Sequence, residues 1–198
     1  MILHKHKAIF IHVPKTGGTS IENFFGRVWD PEISKIEDYS IMLGPSLNHC
    51  FYDKILEHHP QAPTYFSFSF VRNPWARAVS HYRWFKLWRD EIKKISFKEF
   101  LILISNSDFE YKHHVRPQSD FIVDSDGNQI LDFVGRFESL QEDFNHVCGK
   151  LGLKDSRLSH VNKSGNLSVY HDFYDKESKL LVAKKYAEDI ERFKYTFE

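Results

Sequence analysis

The sequence has few cysteines, no excess charge of either sign and no long apolar segment. Its 198 residues include two cysteines, Cys50 and Cys148, which are too few for a disulfide framework and do not match the spacing of metal ligands. We therefore expect both to be reduced, buried thiols, and we expect no metal. Lysine and arginine together number 27, as do aspartate and glutamate. The chain thus lacks the overall field that draws proteins to nucleic acid or membrane surfaces.

Apolar runs are short throughout the chain. None reaches the roughly 18–20 residues of a membrane span, and the longest, Phe100-Leu-Ile-Leu-Ile104, is typical of a core helix. Ile9–Val13 is too short to be the apolar core of a secretion signal. We therefore expect a cytoplasmic protein with no membrane span and no nucleic-acid partner. A length of 198 residues predicts one domain, residues 1–198, with a sizeable core.

The most informative segment lies near the N-terminus. Ala8–Val13 is a β-branched and aromatic run typical of a buried strand, and Pro14 ends it. A loop follows, and apolar residues then recur at helical spacing over 19–29. The loop consists of Lys15, Thr16, Gly17, Gly18, Thr19 and Ser20. A strand, a glycine loop and a helix start in this order predict an anion cradle, in which backbone N–H groups and a lysine face the ligand.

The order of residues in this loop excludes its commonest nucleotide-binding form. A Walker A loop places its lysine after the glycines and directly before serine or threonine. Here Lys15 precedes Gly17 and Gly18, so the lysine approaches the anion from the strand side. A Gly-Gly turn without a ligand is the alternative. The convergence of a lysine, two glycines and three hydroxyl groups on one helix start argues against it.

A second strand-to-helix segment lies in the middle of the chain. Tyr65–Val71 alternates aromatic and small residues, as a strand does, and Arg72 follows at its carboxyl end. Asn73-Pro74 can cap and begin a helix over 74–88, and Ser80 lies about two turns into that helix. The forked guanidinium of an arginine matches phosphate oxygens, so Arg72 is well suited to a phosphate ligand.

Both segments resemble motifs of the sulfotransferases that use 3′-phosphoadenosine 5′-phosphosulfate (PAPS). Pro14–Ser20 resembles their 5′-phosphosulfate loop, and Arg72 with Ser80 resembles the pair that holds the 3′-phosphate. The most similar branch contains heparan sulfate 2-O-sulfotransferase and the HNK-1 and chondroitin-type carbohydrate sulfotransferases. Arg136–Phe144 resembles the strand-to-helix junction of that branch, and Tyr174–Phe197 resembles its closing helix.

The resemblance implies a role for each candidate site residue. Lys15 is expected to neutralise the bridging oxygen of the leaving group, and the backbone N–H groups of residues 17–20 are expected to hold the 5′-phosphate. The segment that begins at Asn48-His49 resembles the one that carries the family's catalytic histidine, so His49 is the expected general base. The other implied contacts are those of Lys163 and Ser164 with the nucleotide and of Arg116 and Gln118 with the acceptor.

The succession of elements predicts an α/β fold, a single P-loop-like domain with a central parallel sheet flanked by helices. Ligands of such sheets bind beyond the carboxyl ends of the strands, where both motifs fall. A third strand is expected near 130–137, and His12 is expected to alternate away from the glycine loop. The expected helices span 19–29, 51–58, 74–88, 97–105, 140–151 and 176–193.

The leading hypothesis for function is transfer of the sulfuryl group from PAPS to a hydroxyl of a carbohydrate-type acceptor. Such an in-line displacement needs positioning, charge stabilisation and a base, and no metal is expected. A nucleotide-dependent phosphotransferase on a related fold is an alternative. The position of Lys15 and the lack of an evident magnesium-binding aspartate after a strand disfavour it. A noncatalytic nucleotide- or glycan-binding module is the third hypothesis, and the presence of both Lys15 and His49 argues against it.

Overall fold

The computed structural model describes residues 1–26, 55, 61–106, 108–124, 126–159 and 170–197. The chain divides into two compact units, each made from two separate stretches of sequence. The first unit consists of Met1–Val71 and Asp120–Val161, and the second consists of Arg72–Ser119 and Asn162–Glu198.

The first unit is built on a four-stranded sheet whose strands lie side by side in chain order. Strand β2 runs parallel to β3, with Phe10 opposite Phe68, and β3 runs parallel to β4, with Phe68 opposite Phe133. Strand β1 pairs with β2 in the antiparallel sense. The sheet is therefore mostly parallel. The strands are β1 (Ile2–Leu3), β2 (Ala8–Ile11), β3 (Phe66–Val71) and β4 (Phe133–Arg136).

Two helices of the first unit pack on the same face of this sheet. Helix α1 (Gly18–Phe24) follows β2, and helix α5 (Leu140–Lys150) follows β4 after one 3₁₀ turn. Their apolar side chains meet the aromatic side chains of the strands in one buried cluster, because alternate strand residues point to one face. The cluster consists of Leu3, Ala8, Phe10, Ile21, Phe68, Phe70, Phe144, Val147, Cys148 and Leu158.

The strand residues of β3 that alternate with its phenylalanines are two buried serines, and the hydroxyl group of each has a hydrogen-bond acceptor. Ser69 Oγ donates to the carbonyl of Ile11 at 2.7 Å, and Ser67 Oγ donates to Asp132 Oδ2 at 2.8 Å. Buried hydroxyls need such acceptors because an unpaired one is costly to bury. The small, polar positions of the predicted strand therefore mark real contacts within the sheet rather than solvent exposure.

Three helices of the second unit begin with a capping side chain, those of Asn73, Ser96 and Asp175. The side chain of Asn73 accepts hydrogen bonds from the N–H groups of Trp75 and Ala76 at the start of helix α2, and Pro74 is its first residue, as predicted. Ser96 and Glu99 form a capping box at the start of α4. The helices of this unit are α2 (Pro74–Trp88), α3 (Asp90–Lys93), α4 (Phe97–Ile104), α6 (Lys176–Lys185) and α7 (Ala187–Phe193).

The predicted α/β fold, with its sheet flanked by helices, is confirmed. Three details of its strands and helices differ from the prediction. Strand β1 and its antiparallel pairing were not predicted, because two residues carry no periodic pattern. The first predicted strand ends at Ile11 rather than at residue 13. The final helix, predicted over 176–193, is broken at Tyr186 into α6 and α7. The predicted helix over 51–58 lies outside the described residues except for Ile55, which is helical.

Candidate functional site

The loop Lys15–Ser20 lies between β2 and α1 in the first unit. Its backbone turns through two left-handed residues, Lys15 with φ 69° and Gly17 with φ 88°. Lysine rarely adopts this conformation, and such residues persist only where the surrounding structure holds them. Thr16 is fully buried, and its Oγ1 donates to the carbonyl of Val13 at 2.8 Å. The hydroxyl of Thr16 thus fixes the turn.

Helix α1 begins one residue earlier than predicted. Its N-cap is Gly17, which contributes no side-chain hydrogen bond, so Thr19 and Ser20 lie inside the helix rather than capping it. The N–H of Ser20 donates to the carbonyl of Gly17 at 3.0 Å. Across the part of the chain that the structure describes, the N–H groups of Gly17, Gly18 and Thr19 have no hydrogen-bond acceptor. Three donors of the loop are thus available to an anion.

His12 packs directly against the loop, which corrects the expectation that it faces away. A Cβ atom placed on Gly18 would lie 2.1 Å from Cδ2 of the His12 ring, so only glycine fits at this position. His12 Nδ1 lies 2.7 Å from Glu22 Oε1, both residues are buried, and the His12 ring stacks on Phe10. Alternation along the chain places His12 on the same face as Phe10. That face is the one that the loop and α1 cover.

The predicted strand-to-helix junction Arg136–Phe144 supports the same loop from another side. A Cβ atom on Gly17 would lie 2.7 Å from Leu140 Cδ2 and 3.2 Å from Phe137 Cδ2. Asp143 fixes the junction, because its Oδ2 accepts the N–H of Arg136 at 2.6 Å and the hydroxyl of Ser139 at 2.8 Å. The loop is therefore packed between His12 and the start of α5.

Arg72 is the first residue of the second unit, and it directly follows β3 in the chain, as predicted. It is almost fully buried, with 4 % of its surface exposed. Its N–H donates to Gln118 Oε1 at 2.8 Å, and its carbonyl accepts from Gln118 Nε2 at 2.9 Å. Ser80 is also buried and lies within α2. The structure thus brings Arg72 and Gln118 together, two residues that the sequence assigns to different ligands.

The segment 114–119, which includes Arg116 and Gln118, is held by side chains from other parts of the second unit. Arg77 Nη1 donates to the carbonyl of Arg116 at 3.0 Å. Gln118 is fully buried, whereas Arg116 is partly exposed. Asp189 accepts the N–H groups of Gln118 and Ser119, each at 2.8 Å. Burial raises the pKa of Asp189, and the Arg77 guanidinium and these two N–H groups act in the opposite direction.

Sequence reasoning missed the supporting residues His12, Glu22 and Asp189. A histidine one residue beyond a strand and an acid on an amphipathic helix carry no local signal of their partners. Three predicted site residues, His49, Lys163 and Ser164, lie outside the described residues, as does Cys50. Cys148 is a free, buried thiol, and burial raises its pKa to about 11.

The described residues also bear on metal binding and on membrane insertion. No group of three or more histidine, cysteine, aspartate or glutamate side chains in this part of the chain could hold a metal ion. No helix found there is long and apolar enough to cross a membrane.

Comparison with known proteins decides the family. A family model described as "Sulfotransferase family" matches residues 1–196. The chain belongs to the sulfotransferase family. It is also similar to an uncharacterized protein of Archaeoglobus fulgidus, with 32 % identity over 105 residues that cover 52 % of this chain and 80 % of that protein. No solved structure matches this sulfotransferase. Membership supports sulfuryl transfer as the reaction class.

Proposed function

We propose that this sulfotransferase transfers the sulfuryl group of PAPS to a hydroxyl of a carbohydrate-type acceptor. The observation that carries the proposal is the loop Lys15–Ser20 in a chain of this family. Its three N–H groups without an acceptor among the described residues fit a phosphate. Similarity of the motifs to the heparan sulfate 2-O and HNK-1 branch supports a carbohydrate acceptor.

The proposal assigns a role to most of the predicted site residues. The N–H groups of residues 17–19 hold the 5′-phosphate, and Lys15 stabilises the negative charge that develops on its bridging oxygen. Arg72 and Ser80 bind the 3′-phosphate. His49 takes the proton from the acceptor hydroxyl as that oxygen attacks sulfur and the bond from sulfur to the phosphate oxygen breaks. Lys163 and Ser164 contact the nucleotide, and Arg116 contacts the acceptor.

Calorimetric titration with 3′-phosphoadenosine 5′-phosphate (PAP), with AMP and with ATP plus magnesium tests the nucleotide assignment. We expect PAP to bind most tightly, because only PAP and PAPS carry the phosphate assigned to Arg72. Arg72→Ala should remove most of the preference, about 10–150-fold, since a hydrogen bond to a charged group contributes about 1.5–3 kcal/mol. Arg83→Ala is the matched control, because Arg83 lies on α2 and packs over the Phe173 ring. Equal affinity of the wild-type protein for PAP and AMP would contradict the proposal.

Transfer of labelled sulfate from PAPS to a panel of hydroxyl acceptors tests the acceptor class. We expect label on glycans that carry free hydroxyl groups, and no label on simple phenols or on peptides. Label that appears on phenols alone would retain sulfuryl transfer and overturn the carbohydrate assignment. The two experiments therefore test the donor and the acceptor independently.

A further inference from the structure

The side chain of Gln118 bonds the main chain of Arg72, the residue that follows β3, as a neighbouring strand would. One amide group satisfies both main-chain groups of Arg72, since Oε1 accepts its N–H at 2.8 Å and Nε2 donates to its carbonyl at 2.9 Å. This two-bond arrangement fixes the backbone of Arg72 in both position and rotation. Gln118 is fully buried, so water does not compete for either bond.

Asp189 determines which way the Gln118 amide faces. Gln118 Nε2 lies 3.3 Å from Asp189 Oδ2, so the two N–H bonds of the amide are divided between the Arg72 carbonyl and this carboxylate. A flipped amide would place its oxygen against the carboxylate and its NH₂ group against the N–H of Arg72. Asp189 also accepts the main-chain N–H of Gln118 at 2.8 Å. It therefore holds both the backbone and the side chain of this residue.

Other side chains anchor the same segment through the carbonyl groups of Val115 and His114. Tyr186 Oη donates to the carbonyl of Val115 at 2.7 Å, and Arg77 Nη2 donates to the carbonyl of His114 at 3.2 Å. These bonds fix where the segment 114–119 lies in the second unit. Gln118 connects the segment to the backbone of Arg72 through its two amide bonds. Removing the Tyr186 bond should therefore affect the stability of the segment, whereas removing the Gln118 bonds should affect the position of Arg72. The Tyr186 bond thus provides a control.

We propose that Gln118 is a positioning residue for Arg72, and that Asp189 holds the Gln118 amide in the orientation this requires. The inference rests on the proposed function, in which Arg72 binds the 3′-phosphate. It also replaces the predicted contact of Gln118 with the acceptor, because both N–H bonds of its amide and its carbonyl oxygen are engaged within the protein. The readout is the preference for a 3′-phosphate, which a purely structural role would not change selectively.

The experiment measures Kd for PAP and for AMP on the wild-type protein and on three variants. Gln118→Met keeps the length of the side chain and removes all of its hydrogen bonds. Gln118→Glu keeps an acceptor for the Arg72 N–H, replaces the donor to the Arg72 carbonyl and places a second carboxyl group beside Asp189. We expect both to lower the ratio of the AMP Kd to the PAP Kd by about tenfold, and to leave AMP affinity within about twofold. Tyr186→Phe, the control, should lower the melting temperature and leave the ratio unchanged.

The outcomes separate this inference from the proposal beneath it. A wild-type protein that binds PAP no more tightly than AMP would overturn both the proposed function and this inference. A wild-type preference that Gln118→Met and Gln118→Glu both retain, or an equal loss of affinity for PAP and AMP in both, overturns the inference alone. If Gln118→Met does not fold, Gln118→Glu and Asp189→Asn carry the same test. In an Arg72→Ala background, Gln118→Met should lower the ratio no further.

Discussion

Gly18 is the residue where the loop has the least tolerance for change. Its Cα faces the ring of His12, and that ring is held by its contact with Glu22 and by stacking on Phe10. A methyl group at residue 18 therefore meets a side chain that cannot move aside. The requirement for glycine here arises from packing, since a positive φ is recorded for Gly17 and not for Gly18.

We expect Gly18→Ala to lower the free energy of unfolding by about 2–3 kcal/mol, the scale of an overpacked core position. Gly149→Ala is the matched control, because Gly149 is exposed on α5 and a Cβ there has no neighbour within 4 Å. The control should be stabilised by up to about 1 kcal/mol, the difference in helix propensity between glycine and alanine. Urea denaturation measures both. A Gly18→Ala variant as stable as the wild type would show that the His12 ring can shift.

Lys15 and His49 should differ in what their removal affects. Lys15→Ala should weaken both nucleotide binding and turnover, because the proposal places Lys15 at the leaving group. His49→Ala should leave PAP affinity nearly intact and lower turnover by about a hundredfold or more, the usual effect of a lost general base. PAP titration and single-turnover rates measure the two quantities. Loss of PAP binding in His49→Ala would remove His49 from the role of base.

His113 should lower stability as the solution becomes acidic. Burial and the neighbouring Arg116 guanidinium lower the pKa of His113 to about 4. Its pKa in the unfolded chain is about 6.5, so between these values only the unfolded state takes up the proton. The contribution of His113 to the free energy of unfolding is therefore greatest above pH 6.5 and falls as the pH approaches 4, by about 1–2 kcal/mol at pH 5 once solvent screening at this partly exposed site is allowed for.

Urea denaturation at pH 7.5 and pH 5 measures this effect. Because the chain has 12 histidines, the informative quantity is the difference between the wild-type protein and His113→Asn at each pH. We expect the variant to lose about 1–2 kcal/mol less than the wild type on going to pH 5. An identical loss in both proteins would show that His113 takes up its proton normally in the folded state.

At the scale of elements, the sequence predicted those segments that carry their own boundary signals. Helix α2 is predicted over its full length because Asn73 and Pro74 mark its start. Helix α5 ends close to Gly152, which has φ +66° and was the predicted stop. The break at Tyr186 was not predicted, because the residues on both sides favour a helix. It coincides with a buried hydroxyl that donates to Val115, far away in sequence.

In the candidate site, too, residues with a local sequence signal were predicted and residues that act through distant contacts were not. Lys15–Ser20 and Arg72 are recognisable because each lies directly beside a strand and a helix start. The bonds between Gln118 and Asp189 join positions 71 residues apart, and no local sequence pattern predicts such a contact. The sequence therefore predicts which groups bind phosphate. It does not show which groups hold them in place.

Asn73 links the start of α2 to a distant part of its unit. Its Oδ1 accepts the N–H of Trp75 at 3.0 Å, and its Nδ2 donates to the carbonyl of Thr196 at 2.8 Å. We expect Asn73→Ala to cost about 1–2 kcal/mol through loss of the cap. Asn73→Asp keeps the acceptor and should cost less. Chemical denaturation ranks the two variants, and an equal cost would assign the effect to the bond with Thr196.

At the scale of the whole molecule, the order of strands predicts where the backbone is best protected. Strands β2 and β3 each have a partner on both sides, whereas β1 and β4 each have one partner among the described strands. We expect the amides of Ala8–Ile11 and Phe66–Val71 to exchange with deuterium more slowly than those of Phe133–Arg136. Exchange followed by mass spectrometry measures this. Equal or slower exchange in β4 would contradict the central position of β3.

The construction of each unit from two stretches of chain has a consequence for synthesis on the ribosome. Strand β3 leaves the ribosome about 60 residues before β4, its parallel neighbour, because the whole first stretch of the second unit, Arg72–Ser119, lies between them in the chain. At about 5–20 residues per second, one edge of β3 waits for several seconds with its N–H and C=O groups unpaired. The nascent chain is therefore most prone to pair wrongly, or to need a chaperone, during this interval.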